Sequence, residues 1–172
     1  MTLAQDVSSL GIKKALEIAL AKEEKAEAAY RSIESKVQNY LLKEKARFLA
    51  GEEVKHHQLL ETMYRAQFPH EKPQIPAELG KPWADPIIAP DAPVPDLLNA
   101  ALVAEKASQE FYLALAEAEK SNRTKAIFNY LAAMEHSHYF LVLAELELAK
   151  EVDGYWEMQE MSEGFLMTHM GT

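Results

Sequence analysis

Cysteine is missing altogether from the 172 residues. Its absence excludes disulfides, thiolate catalysis, zinc ribbons and any cysteine-ligated iron–sulfur or rubredoxin-type iron site within this chain, so a redox metal here must be held by nitrogen and oxygen. Proline is missing from two long stretches. All eight prolines stand between Pro69 and Pro95, which leaves two proline-free halves and a 27-residue connection. Basic residues are outnumbered, 18 Lys and Arg against 27 Asp and Glu, for a formal net charge of −9. That balance argues against a nucleic-acid or anionic-membrane surface and favours attraction of metal cations. Long apolar runs are lacking too: the longest, such as Tyr139 to Ala144, fall far short of the roughly 18 residues that suggest a membrane span. The start of the chain shows no basic segment followed by an apolar stretch, so a cytoplasmic location is the expectation.

What is present is repetition. An offset of 82 residues maps Glu23 onto Glu105, Tyr30 onto Tyr112, Glu53 onto Glu135 and His56 onto His138. Glutamate alone would prove little, because the chain holds 22 of them. Histidine decides the matter: of only six, one in each half stands three residues after a Glu that itself lies 30 residues after another Glu. The pattern is that of a duplicated metal-binding hairpin.

Apolar residues at three- and four-residue steps mark four helices. Ile12, Leu16, Ala19, Leu20, Glu23, Ala26, Tyr30 and Ile33 form one stripe, predicting a helix over about 7–36 with Ser8 or Ser9 as its cap. Leu41 through Met63 predict a second over about 38–66, antiparallel to the first because the turn between them is short. The second half repeats this over about 95–120, with Asp96 near the start, and from a cap at Ser121 or Asn122 to about 150, closed by Val152, Asp153 and Gly154. The expected organisation is one all-α domain over 1–172: a helix pair in 7–66, a crossover in 67–95, a second pair in 95–150, and a C-terminal segment in 151–172. Two antiparallel pairs joined by a long Pro-rich crossover make the ferritin-like four-helix bundle. The tail from Tyr155 to Met170 carries enough apolar residues for a short docking helix, and its methionines suit packing better than metal ligation.

Glu and His three positions apart share one helix face, so Glu53 with His56 and Glu135 with His138 can each grip an ion from a single rigid element. Glu23 and Glu105 come from the other two helices. Four carboxylates and two imidazoles at one level suffice for two metals with bridging carboxylates, the arrangement of di-iron and di-manganese bundles. Without cations, four clustered carboxylates would have to be protonated or paired. Tyr30 and Tyr112 follow their Glu by seven residues, nearly two turns, and return to the same face within about 20°; each can support a ligand carboxylate with a hydrogen bond or simply pack in the core. Taken singly, either Glu-x-x-His is more often a solvated pair, and only the duplication outweighs that reading. His57 and His136 point to other faces and do not repeat. Glu24, Glu27 and Glu52 lack acidic counterparts and are expected on solvated faces. Gly51, matched by Ala133, is expected to let helices approach beside the site.

Over residues 10–150 this series resembles the rubrerythrin-like branch of the ferritin-like superfamily. The resemblance implies metal ligation by Glu23, Glu53, His56, Glu105, Glu135 and His138, with Tyr30 and Tyr112 behind them, two Fe ions as cofactor, with Mn or mixed Fe/Mn open, and reduction of hydrogen peroxide or dioxygen. It implies a homodimer or larger homo-oligomer, and a separate electron donor such as rubredoxin, since the family's iron–sulfur module is absent. Such proteins commonly add a Glu one turn after the third-helix Glu. Here that place is Ser108, and Ala26 in the first repeat, which leaves a six-residue set more similar to a bacterioferritin ferroxidase centre. Iron oxidation for storage and di-manganese catalase chemistry are the alternatives.

Overall fold

The computed structural model describes residues 3–80, 86 and 92–157, with side chains from Ser9 to Trp156. Helix α1 runs over Leu3–Lys36, α2 over Tyr40–Gln67, α3 over Val94–Ala118 and α4 over Asn122–Glu151, followed by a short 3-10 turn, Tyr155–Glu157. The boundaries have local causes. Asn39 accepts a hydrogen bond from the Leu42 N–H at 2.9 Å and Ser121 one from Thr124 at 3.3 Å, each satisfying an otherwise unpaired donor of a first turn. Proline occupies the first turn of α3, where no N–H is needed. At the far end of α2, Pro69 disfavours helical geometry for Phe68, which has left it.

Two expectations need correction here. Ser8 and Ser9 do not begin α1; residues on both sides are helical, and the interruption falls at Gly11, whose φ of 74° and ψ of 152° suit glycine alone. Gly51 does not permit a close approach either, since a Cβ built there meets nothing within 4 Å. The proposed C-terminal helix lies outside the described residues beyond Glu157, as do 81–85 and 87–91 of the connection.

Side-chain contacts set the helix directions. Glu34 meets Arg47, Glu23 meets His56 and Glu17 meets Tyr64, so α2 runs antiparallel to α1. Tyr30 bonds Glu105 and Tyr112 bonds Glu23, which makes α3 antiparallel to α1 as well. Lys45 pairs with Glu145 and His56 approaches Glu135, so α4 opposes α2. Helices α2 and α3 therefore point the same way, and the chain between them leaves one end of the bundle and rejoins at the other. The expected all-α, ferritin-like four-helix architecture is the one found. None of the described helices is long and apolar enough to cross a membrane.

The core has two apolar layers. One gathers Leu16, Leu20, Leu60, Phe111, Phe128 and Leu131; the other gathers Ile33, Leu42, Leu49, Leu98 and Val142. Each such buried side chain contributes about 1.5–3 kcal/mol relative to exposure. On every helix the six repeated Glu and His positions fall between these layers, so the polar level is sealed above and below by hydrocarbon.

Candidate metal centre

Six side chains from four helices converge at this level: Glu23 from α1, Glu53 and His56 from α2, Glu105 from α3, Glu135 and His138 from α4, all at most 3% exposed. His56 turns Nδ1 towards three carboxylates, at 3.3 Å from Glu23, 3.2 Å from Glu53 and 3.1 Å from Glu135. His138 turns Nδ1 to Glu53 at 3.0 Å and Glu105 at 3.7 Å. The two imidazoles lie nearly parallel, with centroids 5.3 Å apart and planes inclined by 17°. One donor atom each from Glu53, His56, Glu135 and His138 falls within 4.8 Å of all the others.

The tyrosines close the arrangement crosswise. Tyr30 of the first half donates to Glu105 of the second, and Tyr112 of the second donates to Glu23 of the first. Each hydroxyl thus fixes one oxygen of the glutamate on the neighbouring helix, leaving the other free to face the centre. The atoms a cation would use have no partner outside the cluster: Oε2 of Glu23 and Oε1 of Glu135 lie beside His56 Nδ1, Oε1 of Glu53 and Oε2 of Glu105 beside His138 Nδ1, and Nε2 of both histidines is buried without a hydrogen bond. Buried polar atoms are rarely left so, because each costs about 1–3 kcal/mol. Buried carboxylates and imidazoles whose only partners are one another fit a metal.

Electrostatics agree. Burial, followed by repulsion from Glu23, pushes the Glu135 carboxyl up to about 8. Burial likewise holds Glu53 and Glu105 well above the ordinary carboxylate range, reinforced by the charges of Glu23 and of Glu135 respectively. Glu23 departs from this: burial acts upward, but hydrogen bonds from His56, Glu53 and Tyr112 outweigh it and leave the group low. His56 is raised, its carboxylate partners overcoming burial, while His138 is lowered mainly by burial. In the metal-free centre burial thus favours the protonated forms of Glu53, Glu105 and Glu135, while an ionised Glu23 faces a protonated His56.

The sequence profile of rubrerythrin matches residues 14–146, which span all four helices and all six residues. The chain belongs to the rubrerythrin family. A solved structure, a hypothetical protein from Pyrococcus furiosus, is 33% identical, covers 90% of this chain and 98% of its own, and superposes with a TM-score of 0.76. No curated protein matches. As in the family's ferritin-like fold, the centre of this rubrerythrin-family chain is placed on rigid helices and not on loops.

The residues set aside do lie elsewhere. His57 is half-buried, 3.3 Å from Glu24, and His136 is exposed, edge-on to Phe140. Glu24 is exposed, whereas Glu52, expected in solvent, has a side chain only 12% exposed and holds Lys55 at 2.5 Å. Two buried acids escaped the sequence reading. Glu17 accepts from the Gln74 N–H at 3.0 Å and tethers the connection to α1. Glu145 accepts from Tyr155 and pairs with Lys45. The signal for Glu145 was available, because it continues the buried stripe of Glu135, His138 and Val142; Glu17, beside an apolar stripe, gave none.

Proposed function

We propose that this rubrerythrin-family chain is a non-haem di-iron oxidoreductase that reduces hydrogen peroxide. The observation carrying this reading is the buried convergence of four carboxylates and two imidazoles from four helices, with no polar partner for them but one another and two tyrosines. Glu53, His56, Glu135 and His138, with donor atoms within 4.8 Å of one another, are the proposed core of the ligand set, completed by Glu23 and Glu105 from α1 and α3. Two ferrous ions bound there supply the two electrons that, with two protons, convert a peroxide to two waters.

The chain's own groups do the rest. Tyr30 and Tyr112 orient Glu105 and Glu23, and burial raises both phenols, so they stay protonated as donors. The apolar layers close the centre above and below along the bundle. Lacking cysteine, the chain holds no iron–sulfur relay of its own, so reducing equivalents come from a separate protein such as a rubredoxin. Iron is the proposed metal, with manganese accepted by the same nitrogen and oxygen donors.

One observation favours a second reading. Ser108 and Ala26 stand where a further Glu would extend the set, and the six-residue centre that remains also suits oxidation of ferrous iron by dioxygen for storage. Anaerobic loading with two ferrous ions per chain, followed by stopped-flow oxidation, separates them. A reaction with peroxide much faster than with dioxygen is expected; faster reaction with dioxygen, together with a large hollow assembly by light scattering, would replace the peroxidase reading by the ferroxidase one.

A further inference from the structure

Between α1 and α3 lies a cavity of about 470 Å³ that reaches the centre, with Glu105 and Glu135 among its lining residues. It exists because two helical stripes of small residues face each other: Ala26 and Ala29 on α1, Ala101, Ala104 and Ser108 on α3. The steps of three, four and seven keep each stripe on one face. Ala26 and Ser108 are the two positions one turn beyond Glu23 and Glu105, so the room begins beside the carboxylates themselves. Leu79 of the connection adds apolar surface, and the exposed Lys25 and Glu78 also line the cavity, which therefore opens to solvent.

Its size is out of proportion to hydrogen peroxide. A water-sized molecule takes roughly 30 Å³ of liquid volume, while cavities of roughly 300–1,000 Å³ hold organic ligands. The alanines, with Leu79 and Pro86, offer such a ligand apolar contact on one part of the wall, while Lys22, Ser108, Glu105 and Glu135 give the rest polar groups. We propose that this cavity seats the apolar body of an organic hydroperoxide, R–OOH, with the peroxide group directed at Glu105 and Glu135. This rests on the peroxidase reading above and names its substrate class. The O–O bond breaks, two protons are taken up, and R–OH and water leave; the two electrons come from one-electron oxidation of each of the two ferrous ions.

The test uses cumene hydroperoxide, its alcohol 2-phenylpropan-2-ol, and the variants Ala104→Leu and Ala29→Leu, which fill the cavity from opposite walls. Metal-free wild-type protein is expected to bind the alcohol saturably in a calorimetric titration, with affinity about tenfold weaker in each variant that retains helical circular dichroism. In the iron-loaded protein, the ratio of kcat/KM for cumene hydroperoxide to that for hydrogen peroxide is expected to fall about tenfold in the same variants. No saturable binding of the alcohol to wild type, reaction with hydrogen peroxide alone, or an unchanged ratio overturns this inference and leaves the peroxidase reading standing. A loaded protein inert to both peroxides overturns the two together.

Discussion

Each member of the centre is held by a partner from the other half of the repeat, and this makes single substitutions informative. Tyr112→Phe removes the O–H that Glu23 accepts while leaving the ring in the apolar layer. A hydrogen bond to a charged group is worth about 1.5–3 kcal/mol, so the variant's metal-free form should lose about that much stability in denaturant while iron still binds. Loss of iron instead would make the tyrosine part of the binding set. The protonation pattern gives a second outcome. Glu135 titrates near 8 in the fold against an ordinary 4.5, so its contribution is complete below about 4.5 and lost as pH rises through about 8. The raised His56, Glu53 and Glu105 act in the same direction; the lowered His138 opposes them only up to about 6.5, and the lowered Glu23 is lost only on acidification. The metal-free protein should therefore melt lower at pH 8.5 than at pH 6, and ferrous or manganous loading at neutral pH should release protons to an indicator dye. A flat profile with no release would mean that the carboxyls are already ionised.

At the scale of the element, the helices are long but their ends rest on few residues. Asn39 both caps α2 and donates to the Tyr155 carbonyl, joining the first helical turn to the segment after α4. Asn39→Ala should cost about 0.5–2 kcal/mol from the cap alone; a loss confined to a few tenths would show that neighbours replace it. Gly11 is the weak point of α1. Its backbone lies where a side chain is strained regardless of space, and Gly11→Ala should destabilise by about 1–3 kcal/mol although no neighbour obstructs the new methyl. Thermal denaturation of the metal-free variant checks both.

For the whole molecule, the centre is a cross-link. Cations binding the folded state alone stabilise it by mass action, about 2.7 kcal/mol at a free concentration 100-fold above Kd. In a chain of this length that is about 5–10 °C in Tm. Ferrous or manganous loading should produce such a rise, and Glu53→Ala should abolish it together with most of the bound metal. An unchanged metal content in that variant would return the cluster to a purely structural role.

The sequence alone determined a good deal: four helices, their pairing into hairpins, and which six Glu and His residues share buried faces. These follow from spacing, because a helix's 3.6-residue period turns separation along the chain into direction in space. The 82-residue offset did the same for the twofold character of the centre. What spacing cannot encode is which residue on one helix meets which on another. The crosswise bonds of Tyr30 to Glu105 and Tyr112 to Glu23, the burial of Glu17 and Glu145, and the cavity between two alanine stripes were decided by how the helices lie against one another. Gly51 shows the converse: a small residue in the right register reads as a close-packing site, yet its Cβ would meet open space. Packing is settled by opposing surfaces, and only the tertiary structure brings both of them together.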